Sequence, residues 1–149
     1  MRAIIAFIAI SGLVYGCASF GGFSGGAHYQ KKHGVYVENA KVSTLCLVPR
    51  LRHVIAAAER HFNAPVVVSS GYRNPIKNWR NGGARHSLHK KCQAADVFVP
   101  GVPKPTLIAY MMQDGLVGGV GCYPGRKFIH IDVRERPRGN TRPVTFSGC

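Results

Sequence analysis

The chain has 149 residues and a formal net charge of +14, with 20 Lys and Arg against 6 Asp and Glu. Apolar residues make up 46% of the chain, which is enough for a hydrophobic core and excludes a wholly disordered protein; the length corresponds to one domain. So basic a balance indicates a polyanionic partner, such as nucleic acid, an anionic membrane surface or an acidic cell-wall polymer.

The N-terminus has the pattern of an export signal. Residues 3–15 form an apolar run after a single basic residue, which is typical of a signal-peptide core and shorter than a membrane span. The run ends in a sequence that resembles a bacterial lipobox, in which Cys17 would be lipidated and anchored to the membrane. Cleavage after Ala18 is one alternative, and an uncleaved helix or anchor is another. We predict a signal peptide over residues 1–17, a flexible Gly/Ser-rich linker over 18–28 and a folded domain over 29–149.

The folded part contains a mixture of helical and strand patterns. After Pro49, apolar residues recur at helical spacing and predict an amphipathic helix. The polar, glycine-containing stretch 71–91 predicts an irregular loop long enough to be functional, and the tail 135–149 shows no regular pattern. The predicted elements are helices at 49–62 and 106–113 and strands at 65–69, 93–99, 117–123 and 128–134. Without a regular βαβ alternation, this mixture predicts a small single α+β domain.

The cysteine count is consistent with export. Apart from Cys17, the chain has four cysteines and no C-x-x-C pair, which disfavours a zinc ribbon. Four cysteines allow three pairings, among which the sequence does not choose, and an oxidising compartment predicts one or two disulfides. These cysteines are Cys46, Cys92, Cys122 and Cys149.

Two short stretches carry residues suited to metal chemistry. In a strand, side chains alternate between faces, so His130 and Asp132 share one face while the isoleucines between them point to the other. Asp96 lies in an apolar strand, where an unpaired carboxylate would be costly to bury. Together with His89, these residues offer two imidazoles and a carboxylate, a suitable set for a catalytic zinc ion. A buried His–Asp pair without metal is the alternative reading of the same residues.

Several short motifs occur in a fixed order along the folded part. They are Ser70-Gly71-Tyr72-Arg73, Asn78, Gly82-Gly83-Ala84, Ser87-x-His89-x-x-Cys92-x-Ala94-x-Asp96, Gly118-Gly119-Val120-Gly121-x-Tyr123-Pro124-Gly125 and His130-x-Asp132. Together they resemble the zinc D-Ala-D-Ala carboxypeptidase and murein endopeptidase family (LAS-type peptidoglycan peptidases), and the resemblance covers residues 45–138. It implies a central antiparallel sheet with a few helices, a hedgehog/D-Ala-D-Ala-peptidase-like fold.

The resemblance also implies roles for individual residues. It places Zn²⁺ on His89, Asp96 and His130, and it makes Arg73 the residue that holds a substrate carboxylate or a developing oxyanion. Tyr72, Ser87 and Tyr123 become substrate-binding candidates, and we expect Ser87 to hydrogen-bond near Asp96.

The chain departs from the family pattern at two positions. Cys92 stands where glycine is usual, so we expect the turn to differ. Pairing of Cys92 with Cys122 is one interpretation, because both flank the predicted site, and a thiolate ligand to zinc is a lesser alternative. Lys127 stands three residues before the last ligand, where many relatives have an acid. Asp132 would then either accept a proton from zinc-bound water or orient His130.

The expected function is that of an exported zinc peptidase. The resemblance implies a monomeric D,D-carboxypeptidase or endopeptidase that cleaves peptidoglycan stem peptides, in the periplasm or as an outer-membrane lipoprotein, in cell-wall remodelling or phage lysis. The alternative is a peptidoglycan-binding lipoprotein with little or no turnover. A nucleic-acid binder is disfavoured, because Lys and Arg are spread over residues 31–142 and no nucleic-acid-binding motif is present.

Overall fold

The computed structural model describes residues 29–149. The predicted signal peptide (1–17), the linker (18–28) and the lipidation site Cys17 lie outside the described residues. Within the described part, no helix is both long enough and apolar enough to cross a membrane.

Residues 29–149 form a mixed sheet of seven strands with a few helices, which confirms the α+β prediction. Across the sheet the order is β1-β2-β3-β4-β6-β5-β7. The central neighbours β3, β4, β6 and β5 pair antiparallel, whereas β2 with β3 and β5 with β7 pair parallel. The edge pair β1 and β2 is also antiparallel, so the antiparallel expectation holds except at these two parallel pairs. The strands are β1 Gln30–Lys32, β2 Val35–Val37, β3 Val67–Ser70, β4 Ala94–Phe98, β5 Gly119–Gly121, β6 Ile129–Asp132 and β7 Val144–Phe146.

The first helix shows how the sequence pattern builds the core. Helix α1 spans Pro49–Phe62, the predicted range, with proline at its first position and Asn63 in a left-handed conformation at its end. Its apolar stripe is fully buried in the hydrophobic core. The buried stripe consists of Leu51, Val54, Ile55 and Ala58. Helix α3 spans Lys104–Gln113 and begins two residues before the predicted start.

Two segments predicted to be irregular contain regular structure. Helix α2, Pro75–Arg80, and a 3-10 turn, Leu88–Lys91, lie within the polar loop. The helix starts because the side chain of Asn74 accepts a hydrogen bond from the Lys77 N–H at 2.8 Å, with Pro75 at the first position. The C-terminal tail adds the edge strand β7 to the sheet.

The cysteine pairing differs from the interpretation that joined Cys92 to Cys122. The disulfides are Cys46–Cys92 and Cys122–Cys149. Cys92 lies at the end of the 3-10 turn, where the chain before α1 runs past it: the Val48 N–H donates to the Cys92 carbonyl at 3.1 Å. Cys122, at the end of β5, is beside the end of the tail because β7 pairs with β5. Both disulfides thus follow from tertiary contacts, and a thiolate ligand from Cys92 is excluded.

The turn at Cys92 also differs from expectation. Its φ is +59°, in the left-handed region that glycine adopts without cost. The turn therefore keeps the conformation of a glycine turn although the residue carries a Cβ, and the disulfide to Cys46 fixes it.

Candidate metal site

The centre of the sheet brings the three predicted metal ligands together. Asp96 on β4 and His130 on β6 are direct partners across an antiparallel ladder, so their side chains leave the sheet side by side. His89 comes from the 3-10 turn, which packs over the end of β4. All three residues are buried, with at most 5% of their surface exposed.

The three side chains converge through one atom each. His89 Nε2 and His130 Nδ1 are 3.1 Å apart, and each lies 3.2 Å from Asp96 Oδ1. These are the only three described His, Cys, Asp or Glu residues grouped closely enough to share one metal ion. The predicted ligand set is therefore assembled at one point.

The hydrogen bonds behind the two imidazoles determine which nitrogens face the centre. His89 Nδ1 lies 2.7 Å from the Gly71 carbonyl, which can only accept, so Nδ1 carries the hydrogen. His130 Nε2 lies 3.2 Å from the carboxylate of Asp132, which likewise favours a hydrogen on Nε2. In the neutral imidazoles, the inward nitrogens then carry lone pairs rather than hydrogens.

This arrangement fits a divalent cation. Two nitrogen lone pairs and one carboxylate oxygen face each other at about hydrogen-bond distance with no hydrogen between them, which is repulsive unless a positive charge lies at the centre. Two imidazoles and one carboxylate are a donor set that zinc accepts, and three protein ligands leave a fourth position for water or substrate.

Asp132 lies behind His130 and not beside the centre. It is fully buried, and Arg134 donates to both of its oxygens, at 2.8 and 2.6 Å. Burial alone would raise the pKa of Asp132, but the hydrogen bonds with His130 and Arg134 outweigh it and lower the pKa to about 2. Gly119 closes the remaining side: a Cβ at that position would lie 2.5 Å from Asp132 Oδ2.

The second oxygen of Asp96 is held by Arg73. The Arg73 guanidinium forms an ion pair with Asp96 Oδ2, and its Nε donates to Ser70 Oγ at 2.8 Å. Burial would raise the pKa of Asp96, but hydrogen bonds with His130 and His89 and the charge of Arg73 hold it well below its usual range. For His130, burial would lower the pKa, yet hydrogen bonds with Asp132 and Asp96 raise it. The negative surroundings thus favour positive charge at this point.

An open cleft of about 620 Å³ leads to the site. Arg73 and Asp96 lie at its base, and Tyr123 and Phe128 line one wall. Tyr123 has a φ of +46°, and its carbonyl accepts a hydrogen bond from Lys104 Nζ at 2.7 Å. A non-glycine residue held in this conformation beside a cleft is typical of a functional site.

The other predicted contact residues are placed less directly. Tyr72 is half-buried, and its N–H donates to the Ser43 carbonyl at 2.8 Å. Ser87 directly precedes the 3-10 turn that carries His89, without a side-chain cap hydrogen bond. The close polar contacts of Asp96 are with Arg73, His89 and His130 rather than with Ser87.

One cleft residue was missed by sequence analysis. Glu38 follows β2 and pairs with Lys127, whose Nζ lies 2.5 Å from its carboxylate and 4.3 Å from the centre of the Phe98 ring. Glu38 and Asp96 are the acidic residues among the described residues that line this cleft. A single Glu after a three-residue strand belongs to no motif, so the sequence does not indicate a role for it. Only the structure shows that Glu38 lines the cleft and pairs with Lys127.

Comparison with known proteins identifies relatives and a family for this chain. The chain is 37% identical over 76 residues, 46% of this chain and 40% of the relative, to the peptidoglycan L,D-endopeptidase MepK of Escherichia coli (strain K12), with the same values for MepK of Shigella flexneri. It is 37% identical over 78 residues, 48% of this chain and 40% of the relative, to the probable peptidoglycan L,D-endopeptidase MepK of Haemophilus influenzae. The matches thus cover about 40% of the length of these curated relatives. The Peptidase M15 family model matches residues 27–132, well over half of the chain, and the protein therefore belongs to the Peptidase M15 family.

Proposed function

We propose that this protein is an exported, zinc-dependent peptidase that hydrolyses peptide bonds in peptidoglycan. The observation that carries the proposal is the convergence of His89 Nε2, Asp96 Oδ1 and His130 Nδ1, with Asp96 also lining an open cleft. Membership of a peptidase family and the peptidoglycan peptidases among its relatives support the same assignment.

Zinc is the proposed metal because its usual catalytic sites combine three nitrogen or oxygen ligands with an open position. When bound, it would supply an activated water and polarise the scissile carbonyl. His89 and His130 hold their inward nitrogens free of hydrogen for this purpose, through Gly71 and Asp132 respectively.

The remaining roles follow from the contacts. Asp132 orients His130 and keeps its tautomer fixed; we prefer this role to that of a base, because its oxygens face His130 Nε2 and Arg134, away from the inward Nδ1. Arg73 holds Asp96 in place and, from the base of the cleft, is positioned to bind a substrate carboxylate or a developing oxyanion. Tyr123 and Ser87 remain candidates for substrate contacts.

The relatives' names favour an endopeptidase over a carboxypeptidase, since they are described as L,D-endopeptidases. We therefore propose cleavage within cross-linked stem peptides, in cell-wall remodelling or in phage lysis. Export through residues 1–17, with Cys17 lipidated or removed, would bring the enzyme to this substrate, and the two disulfides are consistent with an oxidising compartment.

The test is digestion of purified peptidoglycan followed by chromatographic profiling of the muropeptides. The zinc-loaded protein should release new peptide fragments, and His130→Ala should release none. His53→Ala is the matched control, because His53 is exposed on α1 and lies outside the cleft; it should behave like the wild type. No new fragments from the zinc-loaded wild type would contradict the proposal.

A binding module without turnover is the second candidate. It is favoured by one observation, which concerns Glu38, the cleft carboxylate that is not a proposed ligand. Glu38 is paired with Lys127. Burial would raise its pKa, but hydrogen bonds from Lys127 and Ser69 outweigh burial and lower the pKa, which makes Glu38 a weaker base. Sedimentation of the protein with peptidoglycan, unchanged by His89→Ala and accompanied by no fragments, would establish this function instead.

A further inference from the structure

The cleft is lined by cations from two separate segments of the chain. Lys77 and Arg80 come from α2, and Arg126 comes from the turn after β5, where its N–H donates to the Tyr123 carbonyl at 3.1 Å. All three residues are exposed. They are separate from Arg73, which lies deeper and is engaged with Asp96.

These three cations have no acidic partner within the described part of the chain. No carboxylate of residues 29–149 forms an ion pair with Lys77, Arg80 or Arg126, whereas Lys127 and Arg134 are both paired. The two acidic residues of the cleft are occupied, Glu38 by Lys127 and Asp96 by Arg73 and the metal site. The walls therefore present uncompensated positive charge to whatever enters the cleft.

We propose that Lys77, Arg80 and Arg126 form a carboxylate clamp that selects peptides with free carboxylates for entry into the cleft. The proposal rests on the proposed function and narrows its substrate. A peptide substrate with free internal carboxylates would meet these charges, whereas the same peptide with primary amides in their place would carry no matching charge. A guanidinium binds a carboxylate through two parallel hydrogen bonds, and an ammonium attracts it as a point charge, but a neutral amide gains neither.

The experiment compares two synthetic cross-linked stem peptides of the same sequence. In one, the internal carboxylates are free; in the other, they are primary amides, and the terminal carboxylate is unchanged in both. Cleavage is followed as kcat/KM, and binding is measured by calorimetry. The variants are the cleft triple K77Q/R80Q/R126Q and the surface triple K41Q/R138Q/R142Q. Both remove three positive charges, and the second set is exposed and outside the cleft.

The wild type should favour the free-carboxylate peptide about 10-fold in kcat/KM and in affinity, which corresponds to about 1.4 kcal/mol, a plausible sum for a few exposed ion pairs. The cleft triple should lose this preference through a higher KM, and the surface triple should keep it. Raising the salt concentration should lower the wild type's kcat/KM for the free-carboxylate peptide more than its kcat/KM for the amidated peptide, because salt screens the added ion pairs.

Three outcomes would overturn the clamp: equal use of the two peptides by the wild type, an equal loss in the surface triple, or competition by a short oligonucleotide as strong as that by the free-carboxylate peptide. Equal cleavage of both peptides would leave the proposed peptidase function standing. Selective binding without any cleavage would support the clamp and contradict the peptidase.

Discussion

Replacing Asp132 with asparagine should weaken metal binding without unfolding the domain. Asp132 touches the far nitrogen of His130, and Arg134 donates to both carboxylate oxygens. Asparagine has nearly the same shape but no charge, and its NH₂ group must replace one of the two oxygens. It then faces either the Arg134 N–H groups that donate to Oδ1, or His130 Nε2 and the Arg134 N–H group that meet at Oδ2. If its NH₂ group faces His130 Nε2, the ring hydrogen is driven to Nδ1, the nitrogen that must bind the metal.

The expected loss of zinc affinity follows from the place of Asp132, which contacts a metal ligand rather than the metal itself. Removing an outer hydrogen-bond partner of a ligand histidine typically costs about 10- to 100-fold in metal affinity. That range corresponds to about 1.4–2.7 kcal/mol. The fold should persist because the buried Ile129 and Ile131 of β6 are unchanged.

Zinc affinity is measured by competition with a chromophoric chelator, starting from metal-free protein. Glu135→Gln is the matched control, since it removes the same charge from an exposed residue of the same segment and should leave the affinity unchanged. If Asp132→Asn bound zinc within twofold of the wild type, with a native circular dichroism spectrum, the orienting role of Asp132 would be refuted.

Three further predictions concern stability and the support of the site. The Cys46–Cys92 disulfide joins residues 46 positions apart, so the double variant Cys46→Ser/Cys92→Ser should have a free energy of unfolding about 4 kcal/mol lower than the wild type. The free energy is measured by urea unfolding, and a decrease below about 1 kcal/mol would contradict this prediction. The pKa of Asp132 is lowered from 3.8 to about 2, so its contribution of about 2 kcal/mol to the free energy of unfolding should be present above pH 4 and disappear as the pH falls through 2. In Asp132→Asn, the free energy of unfolding should therefore fall less steeply with pH on the acid side, and an unchanged pH dependence would argue against the ion pair. Gly119→Ala should weaken zinc binding, because the new Cβ would collide with Asp132, and unaltered affinity in the competition assay would show that the carboxylate can move.

Strand periodicity predicted the placement of His130 and Asp132, whereas His89, which lies in the 3-10 turn, was identified through the family resemblance. The alternation of apolar and polar residues in 128–133 placed His130 and Asp132 on one face, and the 3.2 Å contact between them confirms this. The apolar surroundings of Asp96 required a partner, and the fold supplies three.

The sequence could not predict features that depend on the approach of distant segments. The disulfide partners of Cys92 and Cys122 are decided by where the chain before α1 and the tail pass, and neither position has a local signal. The edge strand β7 forms in a tail that resembles a loop, because its pairing with β5 supplies the missing stability. Helix α2 did have a signal, the capping residue Asn74 followed by Pro75, within a stretch whose polarity suggested a loop.

The most direct test of the metal site is a crystal structure of the zinc-soaked protein with anomalous scattering recorded on both sides of the zinc edge. A single strong peak should lie about 2.0–2.2 Å from His89 Nε2, Asp96 Oδ1 and His130 Nδ1, with a fourth position open to the cleft. No peak at these three atoms in the zinc-soaked crystal, or a peak coordinated by other residues, would contradict the account.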